Sequence, residues 1–162
     1  MGLYAQETTV PVERTQAEIK RECLRYGADS FVLGEEGEKA MVQFRINNRS
    51  VRFTLVLPRR DEKRFWRTPG GRRERDESGA WKAWEQACRQ KWRALYLFVR
   101  ASLEATREGI VDFDECFLPY MVLPDGRTVG GHMAPMVKKA IESGSMPRLS
   151  LPEPSNGQEV QR

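Results

Sequence analysis

The stretch "MVQFRINNRSVRFTLVL", residues 41–57, predicts two antiparallel strands joined by a tight turn. In its first half Val42, Phe44 and Ile46 alternate with polar residues, and the second half alternates in the same way. A period of two with one apolar face is typical of a strand that covers a core and keeps its other face in water. The "NNRS" between the halves has the residue types of a turn.

Working outward, a helix over about residues 14–26 and a short strand at 30–33 are predicted before this pair. After it, we predict one long helix from about Ala80 to Glu108, ended by Gly109. One face of that helix is apolar at steps of three and four, which predicts that its tryptophans pack in the core. The residues of this face are Trp81, Trp84, Cys88, Trp92, Leu95, Val99 and Leu103.

The C-terminal part is predicted to be helical. Asp112 is placed to cap a short helix over "FDECFL", and a further helix over "VGGHMAPMVKKAIESG" is expected to end at Gly144. The predicted fold is therefore α+β: a small antiparallel sheet in α-β-β-β-α order packed on one long helix, with a helical C-terminal part. Residues 1–149 are expected to form a single domain with a basic loop at 59–79, and residues 150–162 a flexible tail.

Composition favours a soluble protein of the reducing cytoplasm. The 162 residues carry a net charge of +4, with 40% hydrophobic and 31% charged residues. The three cysteines are far apart, which fits neither a disulfide framework nor a zinc site, and buried free thiols are the better interpretation of Cys23 and Cys88. No signal peptide and no apolar run of the ~20 residues that a membrane span needs is visible.

The most basic part of the chain is "RRDEKRFWRTPGGRRER", residues 59–75, with eight Arg and Lys against three acidic residues. Phe65 and Trp66 lie among these charges without an apolar partner at strand or helix spacing. Exposed aromatic rings in a basic loop suit stacking on bases, which contributes ~1–3 kcal/mol per base in single-strand binders. The alternative is a solvated loop in which Trp66 folds back onto the core.

Two further basic surfaces strengthen the first interpretation. The outer sheet face carries Arg45 and Arg52, and a line of arginines flanks the apolar face of the long helix. If all three surfaces meet on one side of the fold, they form a polyanion site. The predicted nucleic-acid-binding residues are Arg45, Arg52, Arg59, Arg60, Lys63, Arg64, Phe65, Trp66, Arg67, Arg72, Arg73, Arg89, Arg93 and Arg100.

No catalytic residues, metal site or cofactor are predicted. His132 is the only histidine and has no partner at triad or metal spacing, and the "DFDE" carboxylates suit a helix N-terminus better than Mg²⁺. A metal-dependent nuclease is a minor alternative, since Asp61-Glu62-Lys63 and Glu18-Ile19-Lys20 both match an acid-x-Lys pattern.

Nearly the whole chain is similar to a family of small, functionally uncharacterised phage and prophage proteins. The similarity is carried by "ERTQAEIKRECLRYGAD", by "VQFRINNRSVRFTLVLP" and by residues 92–149, beginning "WRALYLFVRASLEATREG". It implies a bacterial host cell as the setting and a role in replication, recombination or anti-defence. The inserted "GRRERDESG" departs from the family pattern. In topology alone, the element order also resembles double-stranded-RNA-binding domains and the core of annealing recombinases.

The predicted function is nucleic-acid binding without catalysis in phage recombination or replication, as a single-strand annealing or mediator protein. Single-stranded DNA is the favoured partner, and no membrane is expected. The alternative is a protein-interaction module, such as an anti-defence inhibitor or an assembly adaptor. Whether the protein forms a homo-oligomer, and whether it binds a host or phage protein, are both left open.

Overall fold

The computed structural model describes Ala5 and residues 7–145. The predicted tail, residues 150–162, lies outside this range. The fold is α+β with a long helix and a C-terminal helix, as the sequence predicts. Its elements are α1 (Val12–Arg25), β1 (Ser30–Glu36), β2 (Lys39–Ile46), β3 (Arg49–Val56), α2 (Lys63–Trp66), α3 (Glu77–Arg107), α4 (Phe113–Phe117), a 3₁₀ turn (Leu118–Tyr120) and α5 (Val129–Ser143).

The three strands form an antiparallel sheet in the order β1-β2-β3. Phe44 in the central strand pairs with Phe31 on one side and with Val51 on the other. The β2–β3 turn is made by Asn47 and Asn48, whose φ angles are 49° and 65°. A two-residue hairpin turn of this kind needs positive φ at both positions, and asparagine tolerates that conformation better than most residues.

The core lies between one face of the sheet and the helix pair α1 and α3. Alternate residues of β2 and β3 are buried on this face, and they pack with Ile19 of α1 and Trp92 of α3 in one cluster. Phe117 of α4 closes the cluster edge-on against Phe44, with ring centroids 6.0 Å apart. Both helices therefore cover the same face, and the outer face of the sheet is left open to solvent.

The C-terminal helix stands apart from this core, because none of its residues is buried. Its N-terminus is held by Thr128, whose side chain accepts a hydrogen bond from the Gly131 amide, and by close contact of Gly130 with Pro119 of the 3₁₀ turn. It ends at Gly144 in the left-handed conformation, as predicted. Within the described residues, no helix is both long enough and apolar enough to span a membrane.

Candidate nucleic-acid interface

The segment 59–76, named here the basic segment, is ordered rather than an irregular loop. Helix α2 forms its first half, and a small hairpin follows in which Arg67 and Glu74 face each other as a β-bridge. The Thr68 amide donates to the Arg73 carbonyl oxygen at 2.9 Å, and Gly71 closes the turn with a φ of 70°. Sequence reasoning expected no regular structure here, and it missed the short helix.

Arg75 holds the two halves of the basic segment together. One nitrogen of its guanidinium, Nη1, lies 3.4, 3.2 and 2.8 Å from the carbonyl oxygens of Arg64, Phe65 and Arg67. These carbonyls are at the C-terminal end of α2, where a helix leaves acceptors without partners inside the helix. A cation at this position satisfies them and complements the helix dipole. Arg75 is therefore a structural arginine.

The two aromatic residues of the segment have opposite environments. Phe65 is only 4% exposed, so the expectation that its ring is exposed is wrong, and the ring is not available to stack on a base in this conformation. Trp66 is 42% exposed, and its indole N–H donates to the Arg60 carbonyl oxygen at 3.3 Å. Of the two rings proposed for base stacking, the structure leaves only Trp66 accessible.

Arg60 is stacked on the first turns of α3. Its Cζ lies 3.4 Å from the centroid of the Trp81 ring and 5.1 Å from that of Trp84. The Trp84 indole N–H in turn donates to the Pro58 carbonyl oxygen at 2.7 Å. The prediction that Trp81 and Trp84 pack in the core is wrong, since Trp81 is 40% exposed and Trp84 is half-buried outside the core cluster. The helical period is correct, but the buried part of α3 includes Trp92 and not Trp81.

Between α2 and α3 these residues enclose an open pocket of about 290 Å³, named here the tryptophan pocket. Two carboxylates reach it. The Asp61 carboxylate accepts from Arg59 at 3.0 and 2.8 Å, and this hydrogen bonding lowers the pKa of Asp61. The Glu77 carboxylate makes no hydrogen bond or ion pair within the described residues. The lining residues used below are Arg60, Asp61, Trp66, Glu77, Trp81 and Trp84.

Apart from Arg60, which stacks on Trp81, and Arg75, which holds the segment together, the cations of the basic segment fall into two groups. Arg59 is paired with Asp61 and Glu38, and Arg64 lies 2.6 Å from Glu62. The other group is exposed, and its side chains have no ion pair or hydrogen bond to any part of the chain that the structure describes. Its members, named here the free cations, are Lys63, Arg67, Arg72 and Arg73.

The predicted arginines of the sheet are on its outer face but already have partners. Arg45 lies 2.8 Å from Asp29 in an ion pair, and Arg52 donates a short hydrogen bond to the Gly126 carbonyl oxygen. Arg52 thus ties the turn before α5 to the sheet, which is a structural role.

The predicted arginines of α3 lie in the helix layer, on the far side of the sheet from Arg45 and Arg52. Arg93 pairs with Glu18 of α1 at 2.5 Å, and Arg89 donates to the Gln86 side-chain oxygen at 2.9 and 2.7 Å. Arg100 donates to the hydroxyl of Tyr96 at 3.3 Å. The expected single basic face is not formed, and only the basic segment brings several predicted residues together.

Neither carboxylate pattern singled out for metal binding is assembled into a cluster. Asp112 caps α4 by accepting from the Asp114 amide at 2.8 Å, and Asp114 pairs with Arg49, which raises the pKa of that guanidinium. Across the described residues, no group of three His, Cys, Asp or Glu side chains is placed to hold a metal ion.

Comparison of the chain with protein-family models, with curated proteins and with solved structures finds no match. The resemblance to small phage proteins therefore stays a prediction.

Proposed function

We propose that this protein binds single-stranded nucleic acid through the basic segment, without catalysis, as a phage annealing or mediator protein in recombination or replication. The observation that carries the proposal is the presence of four free cations and the half-exposed Trp66 on one ordered segment. Cations without carboxylate partners can neutralise phosphates without first breaking an ion pair. An exposed indole beside them offers a stacking surface that every base can use.

The order of the segment supports the same proposal. Arg75 and the hairpin hydrogen bonds fix the backbone from which the free cations project. A surface that is ordered before its ligand arrives loses less conformational entropy on binding than a flexible loop does. Arg60 and the indole N–H of Trp66 fix the aromatic side of the segment in the same way.

The test is a salt titration of the affinity for a fluorescent thymine 12-mer, measured by anisotropy. If the four free cations each neutralise one phosphate, the slope of log K against log salt is about −2.8, at ~0.7 per charge for single strands. The affinity then falls about fifty-fold between 50 and 200 mM salt. A variant with all four residues changed to Gln should lose most of the affinity and of the slope.

A matched control removes four cations that are exposed but ion-paired elsewhere. It should keep at least half of the wild-type slope, because those charges are already neutralised by carboxylates. Equal losses in the two variants would show that binding is diffuse, and the absence of binding by the wild type would refute the proposal. The control residues, each changed to Gln, are Arg14, Arg45, Arg127 and Lys138.

One observation favours the second candidate, a protein-interaction module such as an anti-defence inhibitor or an assembly adaptor. Helix α5 and the 3₁₀ turn form an open groove of about 670 Å³ with mainly apolar walls. Within it Val137 and Ile141 are exposed, the latter at 77%. Exposed apolar patches of this kind commonly mark interaction sites. Flat oligonucleotide titrations would favour this candidate, and sedimentation of a Val137→Asp/Ile141→Asp variant would show whether copies of the chain cover the groove.

A further inference from the structure

The tryptophan pocket contains one carboxylate that the fold does not use. Glu77 lies in the first turn of α3 and lines the pocket, without a hydrogen bond or ion pair to the rest of the described chain. Asp61, the other carboxylate, already uses both oxygens to accept from Arg59. Glu77 therefore offers two free acceptor oxygens beside aromatic walls.

The walls supply flat surfaces, and only some of their hydrogen-bond donors are already used. The indole N–H groups of Trp66 and Trp84 are both bonded to backbone carbonyls, at 3.3 and 2.7 Å. What remains are the faces of the rings, the indole N–H of Trp81 and the guanidinium of Arg60, which is stacked on Trp81 and makes no hydrogen bond or ion pair with the described residues. Among the described lining side chains, Glu77 is thus the carboxylate whose two oxygens are free to accept hydrogen bonds from a base. A volume of about 290 Å³ is just below the ~300–1,000 Å³ of pockets for drug-sized ligands, which suits one planar base.

We infer that the tryptophan pocket takes a guanine base of the bound single strand, with the Watson–Crick edge of the base on the Glu77 carboxylate. This inference rests on the proposed function and adds a base preference to it. Trp66 belongs both to the pocket and to the basic segment, so one strand can place a base in the pocket while the free cations hold the neighbouring phosphates.

The preference for guanine follows from the donor pattern of the bases. A carboxylate only accepts, and its two oxygens can take two parallel hydrogen bonds. Guanine presents the N1–H and the exocyclic amino group side by side. Adenine and cytosine each place a ring acceptor next to their amino group, and thymine places carbonyl oxygens on both sides of its single N–H. Each of these acceptors would face a carboxylate oxygen and be repelled by it. Proteins that bind single strands distinguish bases through the hydrogen-bond pattern of their edges in this way.

The experiment compares thymine 11-mers whose central base is guanine, inosine, adenine or thymine, using anisotropy at fixed salt. Inosine keeps N1–H and lacks only the exocyclic amino group. The wild type should bind the guanine oligonucleotide about tenfold more tightly than the inosine or thymine one, as a good bidentate contact predicts. In Glu77→Gln the guanine-to-inosine and guanine-to-thymine affinity ratios should both fall to about one. The matched control is Glu74→Gln, an exposed acid of the basic segment outside the pocket, which should keep the guanine preference.

The outcomes separate this inference from the proposed function. If no oligonucleotide binds, both are overturned. If all four oligonucleotides bind the wild type equally, the guanine pocket is overturned and nucleic-acid binding stands. If the guanine preference survives in Glu77→Gln, the role given to this carboxylate is wrong.

Discussion

Replacing Arg93 by Met is expected to destabilise the fold and to leave oligonucleotide binding unchanged. Arg93 joins α3 to Glu18 of α1 at 2.5 Å, and the two side chains are only 13% and 15% exposed. Its Cζ also lies 4.2 Å from the centroid of the Tyr96 ring. The charge is therefore committed to the interface between the two helices, although sequence composition alone assigns it to phosphate binding.

The size of the effect follows from the environment of this pair. Removing one partner of a buried ion pair costs ~3–5 kcal/mol, because the other charge is left without compensation. Both side chains keep some contact with water here, and Met retains part of the packing of the arginine stem. We therefore expect the free energy of unfolding to fall by ~2–3 kcal/mol, measured by urea denaturation.

A double-mutant cycle with Glu18→Gln isolates the pair, and a coupling energy of ~1–2 kcal/mol is expected for residues in direct contact. Arg14→Met is the control, because Arg14 also approaches Glu18, at 3.5 Å, but is exposed. It should cost less than ~1 kcal/mol. An Arg93→Met variant of unchanged stability with weakened oligonucleotide binding would refute this account and return Arg93 to the binding surface.

Two further predictions concern the packing of α5 and the buried thiol. In Gly130→Ala the new Cβ would lie 2.7 Å from the Pro119 carbonyl oxygen, so α5 should separate from the 3₁₀ turn. Hydrogen exchange should then show faster exchange of the α5 amides, while the thermal unfolding temperature of the core is nearly unchanged. Burial raises the pKa of Cys23 from 9.0 to about 12, so at pH 8 a thiol reagent should label Cys116 and reach Cys23 only on unfolding. Because the unfolded thiol ionises first, the stability that Cys23 contributes is complete below pH 9 and declines towards pH 12, by up to ~1.4 kcal/mol per pH unit. The decline in the free energy of unfolding, measured with urea, should be smaller in Cys23→Ala, and burial of Cys88, which also raises the pKa of that thiol, accounts for part of what is left.

The strands and most helix ends are predictable from sequence because local patterns determine them. Strands β2 and β3 bury one face and expose the other, so their alternation is visible directly in the chain. Asp112 caps the start of α4 and Gly144 ends α5, for reasons that involve only the backbone and side chains close to them in sequence. Both are observed in the predicted roles. These elements can therefore be predicted without knowing which distant residues they contact.

The exposure of Trp81 and the burial of Phe65 could not be predicted in the same way. A helical period shows which side of α3 is apolar, but not how far along the helix that side has a neighbour to pack against. Trp81 lies near the N-terminal end of α3, beside α2 and Arg60, whereas Trp92 lies against the sheet. Phe65 lies in a helix of four residues, which is too short to show any period.

The partners of the arginines are the least predictable part of the candidate site. Asp61, which pairs with Arg59, is two positions away in sequence, but Glu18 is 75 positions from Arg93 and Asp29 is 16 positions from Arg45. Counting charges in a window therefore shows where guanidinium groups occur and not which of them are free. Only the fold separates the arginines that hold helices together from those that face solvent.

That separation changes what a loss of binding means for each arginine. If the free cations bind phosphates as proposed, they do so through charge, and lysine should replace Arg67, Arg72 and Arg73 with little loss. Arg60 and Arg75 act through the plane of the guanidinium, by stacking on Trp81 and by donating to several carbonyl oxygens. Lysine keeps the charge at these two positions but cannot keep that geometry. If the basic segment binds because it is already ordered, Arg75 contributes to affinity without touching the ligand.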